Sequence, residues 1–132
     1  FLAGLMIEKS PCLHAELIVP IPLSPKRLRS RGFHQSYQLA RPLGKKWKIP
    51  VDPFLLVRRE GEKSQIGLTR AERFQNVKGA FSIPEKLKKK VVGRALLLVD
   101  DVYTTGATMT EAARTLQKEG ATVSFLTLAR RR

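Results

Sequence analysis

Asp100 and Asp101 stand side by side directly after the apolar run Ala95-Leu96-Leu97-Leu98-Val99. Adjacent carboxylates accept hydrogen bonds from vicinal hydroxyls, and one or two of them suffice to hold a hydrated Mg²⁺. Just downstream, Thr104-Thr105-Gly106-Ala107-Thr108 leads into a segment of helical periodicity. Small residues there let backbone amides approach an anion, the helix N-terminus adds a favourable dipole, and the threonine hydroxyls add donors. A phosphate cradle beside a diol-binding acid pair suits a ribose 5-phosphate. Each part also has a plainer account. An acid pair can simply end a strand, and Thr108-Met109-Thr110-Glu111 matches a capping box. Capping and anion binding use the same amides, and the acid pair and loop together favour the functional account.

These groups need a frame. The apolar run, bounded by Gly93-Arg94 and the acid pair, predicts a strand buried on both faces. Met109, Ala112, Ala113 and Leu116 mark an amphipathic helix with Gly120 just past its end. Thr122–Ala129 reads as a last strand, completing a βαβ unit with a right-handed crossover. Upstream, residues 1–14 read as a helix end broken at Ser10-Pro11, and Glu16–Val19 as a short strand. Pro20, Pro22 and Pro25 argue against helix and central strand alike. Phe33, Tyr37 and Ala40 recur at helical spacing, and Pro42 should end or kink that helix. Phe54-Leu55-Leu56-Val57 reads as a second strand, and Gly79–Ser82 as a short one. Residues 58–76 read as a long polar loop with a helical turn near Arg70–Phe74, and Lys86–Lys90 as a solvated connector. The fold class is α/β, an open and mainly parallel sheet flanked by helices, with ligands at the carboxyl ends of the strands.

The 132 residues suit one domain, and 42% hydrophobic and 27% charged residues are ordinary for a globular chain. The single cysteine, Cys12, cannot form an internal disulfide or a zinc site, so a reducing, cytoplasmic setting is expected. No apolar run approaches the roughly 20 residues that cross a bilayer. The formal charge of +14 attracts polyanions, either a nucleic acid or a small polyphosphate, and does not choose between them. The chain starts at Phe1 rather than Met and is expected to lack an upstream part.

Apolar strand, two acids and a Thr-Thr-Gly-x-Thr loop together resemble the signature of type I phosphoribosyltransferases. That resemblance implies that Asp100 and Asp101 contact the ribose hydroxyls. It likewise implies that Thr104, Thr105, Gly106, Ala107 and Thr108 hold the 5-phosphate of phosphoribosyl pyrophosphate. Val19-Pro20-Ile21-Pro22-Leu23, Lys26-Arg27-Leu28, Arg31-Gly32-Phe33-His34-Gln35 and Asn76-Val77-Lys78-Gly79-Ala80-Phe81 resemble the ComF/GntX-like branch. So do Gln65, Leu68, Arg70 and Arg73. Two departures stand out: His34 replaces a usual Asn, and Pro42 falls in a usually uninterrupted helix. Full-length members usually carry an N-terminal cysteine zinc module, whose absence fits a shortened chain.

By the same resemblance, pyrophosphate falls to the loop Pro22–Lys26, with Lys26 and Arg27 as candidate ligands, and to Arg58 and Arg59 of a water-excluding hood over 58–76. A solvated charge run is the alternative for these cations. His34 and His14 are poor acid–base candidates, and Trp47 reads as packing. Three functions follow. The first is Mg²⁺-dependent phosphoribosyl transfer to an unidentified nucleophile. The second is non-catalytic binding of phosphoribosyl pyrophosphate. The third is a DNA-associated competence role, for which no base-reading motif is present. A homodimer, DNA and the competence machinery are the partners considered.

Overall fold

In the computed structural model, which describes residues 14–32, 35–64, 66–103 and 106–130, β1 (Leu17–Pro20), β4 (Ala95–Tyr103) and β5 (Thr122–Arg130) form a parallel sheet. The strand order is β1-β4-β5, with Leu17 opposite Leu96 and Ala95 opposite Thr122. Side chains alternate between the two faces of a strand, and the core divides accordingly. Leu17, Val19, Leu96 and Leu98 pack on one face with Met109, Ala112 and Leu116 of α4 (Ala107–Lys118). Ile18, Leu97 and Val99 pack on the other with Ala40 and Leu43 of α2 (Gln35–Trp47). Leu96 to Val99 are fully buried, and each such side chain contributes about 2 kcal/mol of burial free energy. The βαβ unit of β4, α4 and β5 is present, and Gly120 follows the C-cap Glu119 of α4 with φ of 95°.

The prolines act differently from expectation. Pro20 is the last residue of β1, paired with Val99. Pro25 is the first residue of α1 (Pro25–Arg31), where its missing N–H costs nothing, and Ser24 caps the helix by accepting the Arg27 amide. Only residues 21–24 between them are irregular. Pro42 does not end α2, which runs on to Trp47. Pro42 and Gln38 are both exposed, so water can serve the Gln38 carbonyl that loses its helical donor. Gly44 of α2 faces the core, where a Cβ would come within 2.5 Å of Val51 and 2.7 Å of the Ile49 carbonyl. Trp47 packs against this cluster, as its apolar body suggests.

The strand expected over 54–57 is not formed. Leu55 and Leu56 are buried in irregular chain, and only Val57–Arg58 pairs, as β2, antiparallel to β3 (Phe81–Ser82). A single parallel bridge joins Val51 to Ile18 instead. The loop expected over 58–76 is shortened by α3 (Arg70–Val77), which packs against α4. Thr69 and Glu72 form a reciprocal capping box there. Glu85–Lys90 is a 3-10 helix rather than a plain connector. The helix end expected over 1–14 falls on residues outside the described set, apart from His14.

Candidate functional site at the carboxyl edge of the sheet

β4 continues through both aspartates to Tyr103, so the acids belong to the strand's last turnless stretch rather than to the loop after it. Asp100 pairs with Thr127 of β5 and is partly buried. The Ser36 hydroxyl, in the first turn of α2, donates to Asp100 Oδ1 at 3.1 Å. Ser36 itself is 5% exposed. Sequence reasoning passed over Ser36, whose position 64 residues from Asp100 gave no signal beyond a polar residue on an apolar helix face.

The Asp101 side chain, Thr104, Thr105, His34 and Gln65 lie outside the described residues. At the start of α4, Gly106 is the N-cap, with φ of 82°, a left-handed conformation that glycine adopts without steric cost. Ala107 is buried and Thr108 partly so. The capping box expected from Thr108 and Glu111 is not formed. Thr108 lies one residue inside the helix, and Glu111 accepts the Gly79 amide at 3.0 Å instead.

The loop after β1 leaves the sheet beside this point. Pro20 is opposite Val99, and the Ile21 amide donates to the Val99 carbonyl at 2.9 Å. That loop leads to a cleft of about 420 Å³ with Ser24, Lys26, Arg27 and Ser30 on one wall and Arg58–Glu62 on the other. The four cations singled out in the sequence therefore meet around one cavity, with unequal freedom. Lys26 and Arg27 are exposed. Arg59 is exposed too, its guanidinium donating to the carbonyls of Glu60 and Lys78. Arg58 is buried. Its Nε and Nη2 bond both Glu62 oxygens at 2.6 and 2.8 Å, and its Nη1 reaches the Pro22 carbonyl at 3.2 Å. Its guanidinium also lies 5.2 Å from the centre of the Phe81 ring. Arg58 thus ties the hood segment to the loop after β1. Glu60 adds a second tie by accepting the Lys26 amide, while within the segment Asn76 bonds both the amide and the carbonyl of Lys63. Glu60 and Glu62 were missed because a charge count does not show which carboxylates line the cleft.

Among the described residues no group of three or more His, Cys, Asp or Glu gathers as a metal cage. A Mg²⁺ ion bound through one or two carboxylates and substrate phosphates needs no such cage, and the hard oxygens of Asp100 fit it. Elsewhere the positive charge is partly compensated. Lys88 pairs with Glu85 and Glu119, whose hydrogen bond and charge hold its ammonium above the ordinary lysine value, and Lys90 pairs with Asp52. No helix among the described residues is long and apolar enough to cross a membrane.

Comparison with known proteins agrees with this geometry. Residues 28–132 match the phosphoribosyl transferase domain family. Competence protein F of Haemophilus influenzae is 37% identical over 105 residues, covering 80% of this chain and 45% of that protein. Competence protein ComFC of Bacillus subtilis is 38% identical over 116 residues, covering 86% of this chain and 44% of that protein. DNA utilization protein YhgH of Escherichia coli K12 is 38% identical over 104 residues, covering 79% and 44%. The chain thus spans less than half the length of these relatives. Among solved structures, the allosteric regulatory enzyme of purine biosynthesis superposes with a TM-score of 0.62 at 22% identity, over 96% of this chain and 24% of that one. The adenine phosphoribosyltransferase of Thermoanaerobacter pseudethanolicus gives 0.59 at 14% identity, over 98% and 78%. A likeness at such identity speaks for the fold, which is that of type I phosphoribosyltransferases. With sequence, topology and relatives in agreement, this chain belongs to the phosphoribosyl transferase domain family and, within it, resembles the competence proteins of the ComF type.

Proposed function

We propose that this domain binds phosphoribosyl pyrophosphate with Mg²⁺ and transfers the phosphoribosyl group to a nucleophile. The observation that carries the reading is the nearness of Asp100 to the loop after β1. Asp100 follows Val99 in β4, and at Val99 that loop departs toward Lys26 and Arg27. On this reading Asp100 and Asp101 hold the ribose hydroxyls, and Thr104 to Thr108 hold the 5-phosphate at the start of α4. Lys26, Arg27 and Arg59 take the charge of the pyrophosphate, while Arg58 fixes the wall that carries Arg59. The bond from ribose C1 to the pyrophosphate oxygen breaks, the nucleophile bonds C1, and pyrophosphate departs with the electron pair. Bound Mg²⁺ would neutralise charge on the departing group. Titration calorimetry with phosphoribosyl pyrophosphate, with and without Mg²⁺, tests binding, and a nucleophile screen that follows pyrophosphate release tests turnover. Absence of Mg²⁺-dependent binding would overturn the reading; binding without release under any nucleophile would favour a sensing module.

A second reading is DNA handling in a cytoplasmic competence pathway. It is supported by the names of the relatives and by a surface feature. Residues 17–51 contain no Asp or Glu. Lys26, Arg27, Arg29, Arg41, Lys45, Lys46 and Lys48 of this stretch are exposed. Ion pairs among the described residues use Arg58, Lys88, Lys90 and Arg114 but none of these. Arg41 and Lys45 line a shallow groove with Gln38 along the solvent face of α2. Such a face offers phosphate contacts without base readout.

A further inference from the structure

We infer that Ser36 is a positioning residue for Asp100, so that α2 belongs to the ligand site although it supplies no ligand; this rests on the reading of Asp100 as a ribose- and Mg²⁺-binding group. The buried face of α2 consists of Ser36, Ala40, Leu43 and Gly44. Ser36 is its one hydroxyl. A buried hydroxyl without a partner is costly, and alanine would serve packing better on such a helix face. A serine inside a helix commonly bonds the carbonyl four residues back, but Ser36 is in the first turn, where the helix offers none. The hydroxyl is spent instead on Asp100 Oδ1, across 64 residues of sequence. An ionised carboxylate only accepts, so Ser36 donates, and the bond restrains rotation of the Asp100 carboxylate.

The donor is itself held firmly. Ala40 and Leu43 are fully buried against Leu97 and Val99 of β4, the residues leading to Asp100. Gly44 lets the helix lie close to Ile49 and Val51. Core packing rather than a loop therefore sets the position of the Ser36 oxygen. Groups that orient a liganding side chain in this way affect affinity nearly as ligands do.

The test is a double-mutant cycle read by calorimetry of Mg²⁺-dependent phosphoribosyl pyrophosphate binding, with thermal melting of every variant. Ser36→Ala should weaken binding by about tenfold or more, the effect expected of an outer partner. Ser36→Thr, which keeps the hydroxyl, should restore most of the affinity. In the Asp100→Asn background, Ser36→Ala should add less than about twofold, because its effect runs through the carboxylate. A wild-type chain that binds no phosphoribosyl pyrophosphate overturns the ligand reading and the inference together. Wild-type binding left unchanged by Ser36→Ala overturns the inference alone. So does an equal loss in both backgrounds, which a general loosening of α2 would give and a positioning bond would not.

Discussion

The Glu60 carboxylate accepts the amide hydrogen of Lys26 at 2.6 Å, bridging 34 residues and laying an acid across the mouth of a cleft lined by Lys26, Arg27 and Arg59. An incoming polyphosphate would meet this carboxylate where it needs the cations. We expect Glu60→Ala to tighten binding of Mg²⁺-pyrophosphate by about threefold to tenfold, within the net range of one ordinary hydrogen bond. Glu60→Gln, neutral but still an acceptor, should fall between. Calorimetry with inorganic pyrophosphate reads the effect, and an unchanged or weaker affinity in Glu60→Ala would show that the carboxylate does not compete.

Asp100→Asn and Asp101→Asn should each weaken Mg²⁺-dependent binding of phosphoribosyl pyrophosphate with little change in melting temperature. Asp100 is only partly buried, and the fully buried apolar run of β4 ends before it at Val99. Equal affinity in both variants and wild type would remove the acids from the site.

The Arg58–Glu62 pair is the buried ion pair of the hood wall, with side chains 10% and 6% exposed. Arg58→Ala strands the Glu62 carboxylate and the Pro22 carbonyl, so about 3 kcal/mol of stability should be lost. The joint replacement Arg58→Met with Glu62→Leu should cost much less, because no buried charge is left alone. Urea unfolding of the variants decides the matter; a loss below about 1 kcal/mol in Arg58→Ala would mark the pair as a surface-like one.

If DNA is a partner, its affinity should fall steeply with salt, whereas phosphoribosyl pyrophosphate binding should persist. A strand neutralising three phosphates gives a slope of about −2 in log affinity against log salt. Arg41→Glu with Lys45→Glu should weaken DNA binding more than reversal of Lys88, Lys89 and Lys90, since Lys88 and Lys90 already have acidic partners. The reverse order would move the contact surface to the 3-10 helix.

The C-terminal half was readable because its signals are redundant. Five consecutive apolar residues, an amphipathic helix and a closing glycine all demand β4, α4 and β5, although β4 runs past the acid pair to Tyr103. The middle was not, because a four-residue apolar run serves a buried irregular segment as well as a strand. Leu55 and Leu56 take the first course. The cap formed by Thr69 and Glu72 was present in the sequence, but the polar stretch around it hid the helix it starts. Pro42 misled because a proline on the solvent side of a helix sacrifices a carbonyl that water can satisfy. Local spacing could nominate the acid pair and the cations of the cleft, whereas Ser36, Glu60 and the inward turn of Arg58 depend on contacts between distant segments.

The span of the Ser36–Asp100 bond also predicts an order of events during folding. β4, α4 and β5 follow one another directly, so that unit closes over a short stretch of chain. Joining β1 to β4 brings together residues such as Glu16 and Ala95, 79 positions apart, and closing the longer loop is entropically dearer and slower. An early species can therefore hold the acid pair on a formed strand while its orienting hydroxyl and the cationic cleft are still elsewhere. Ligand competence should be the last property this chain acquires as it folds and the first it loses as it opens, which makes binding a more sensitive clock of the native state than helix content.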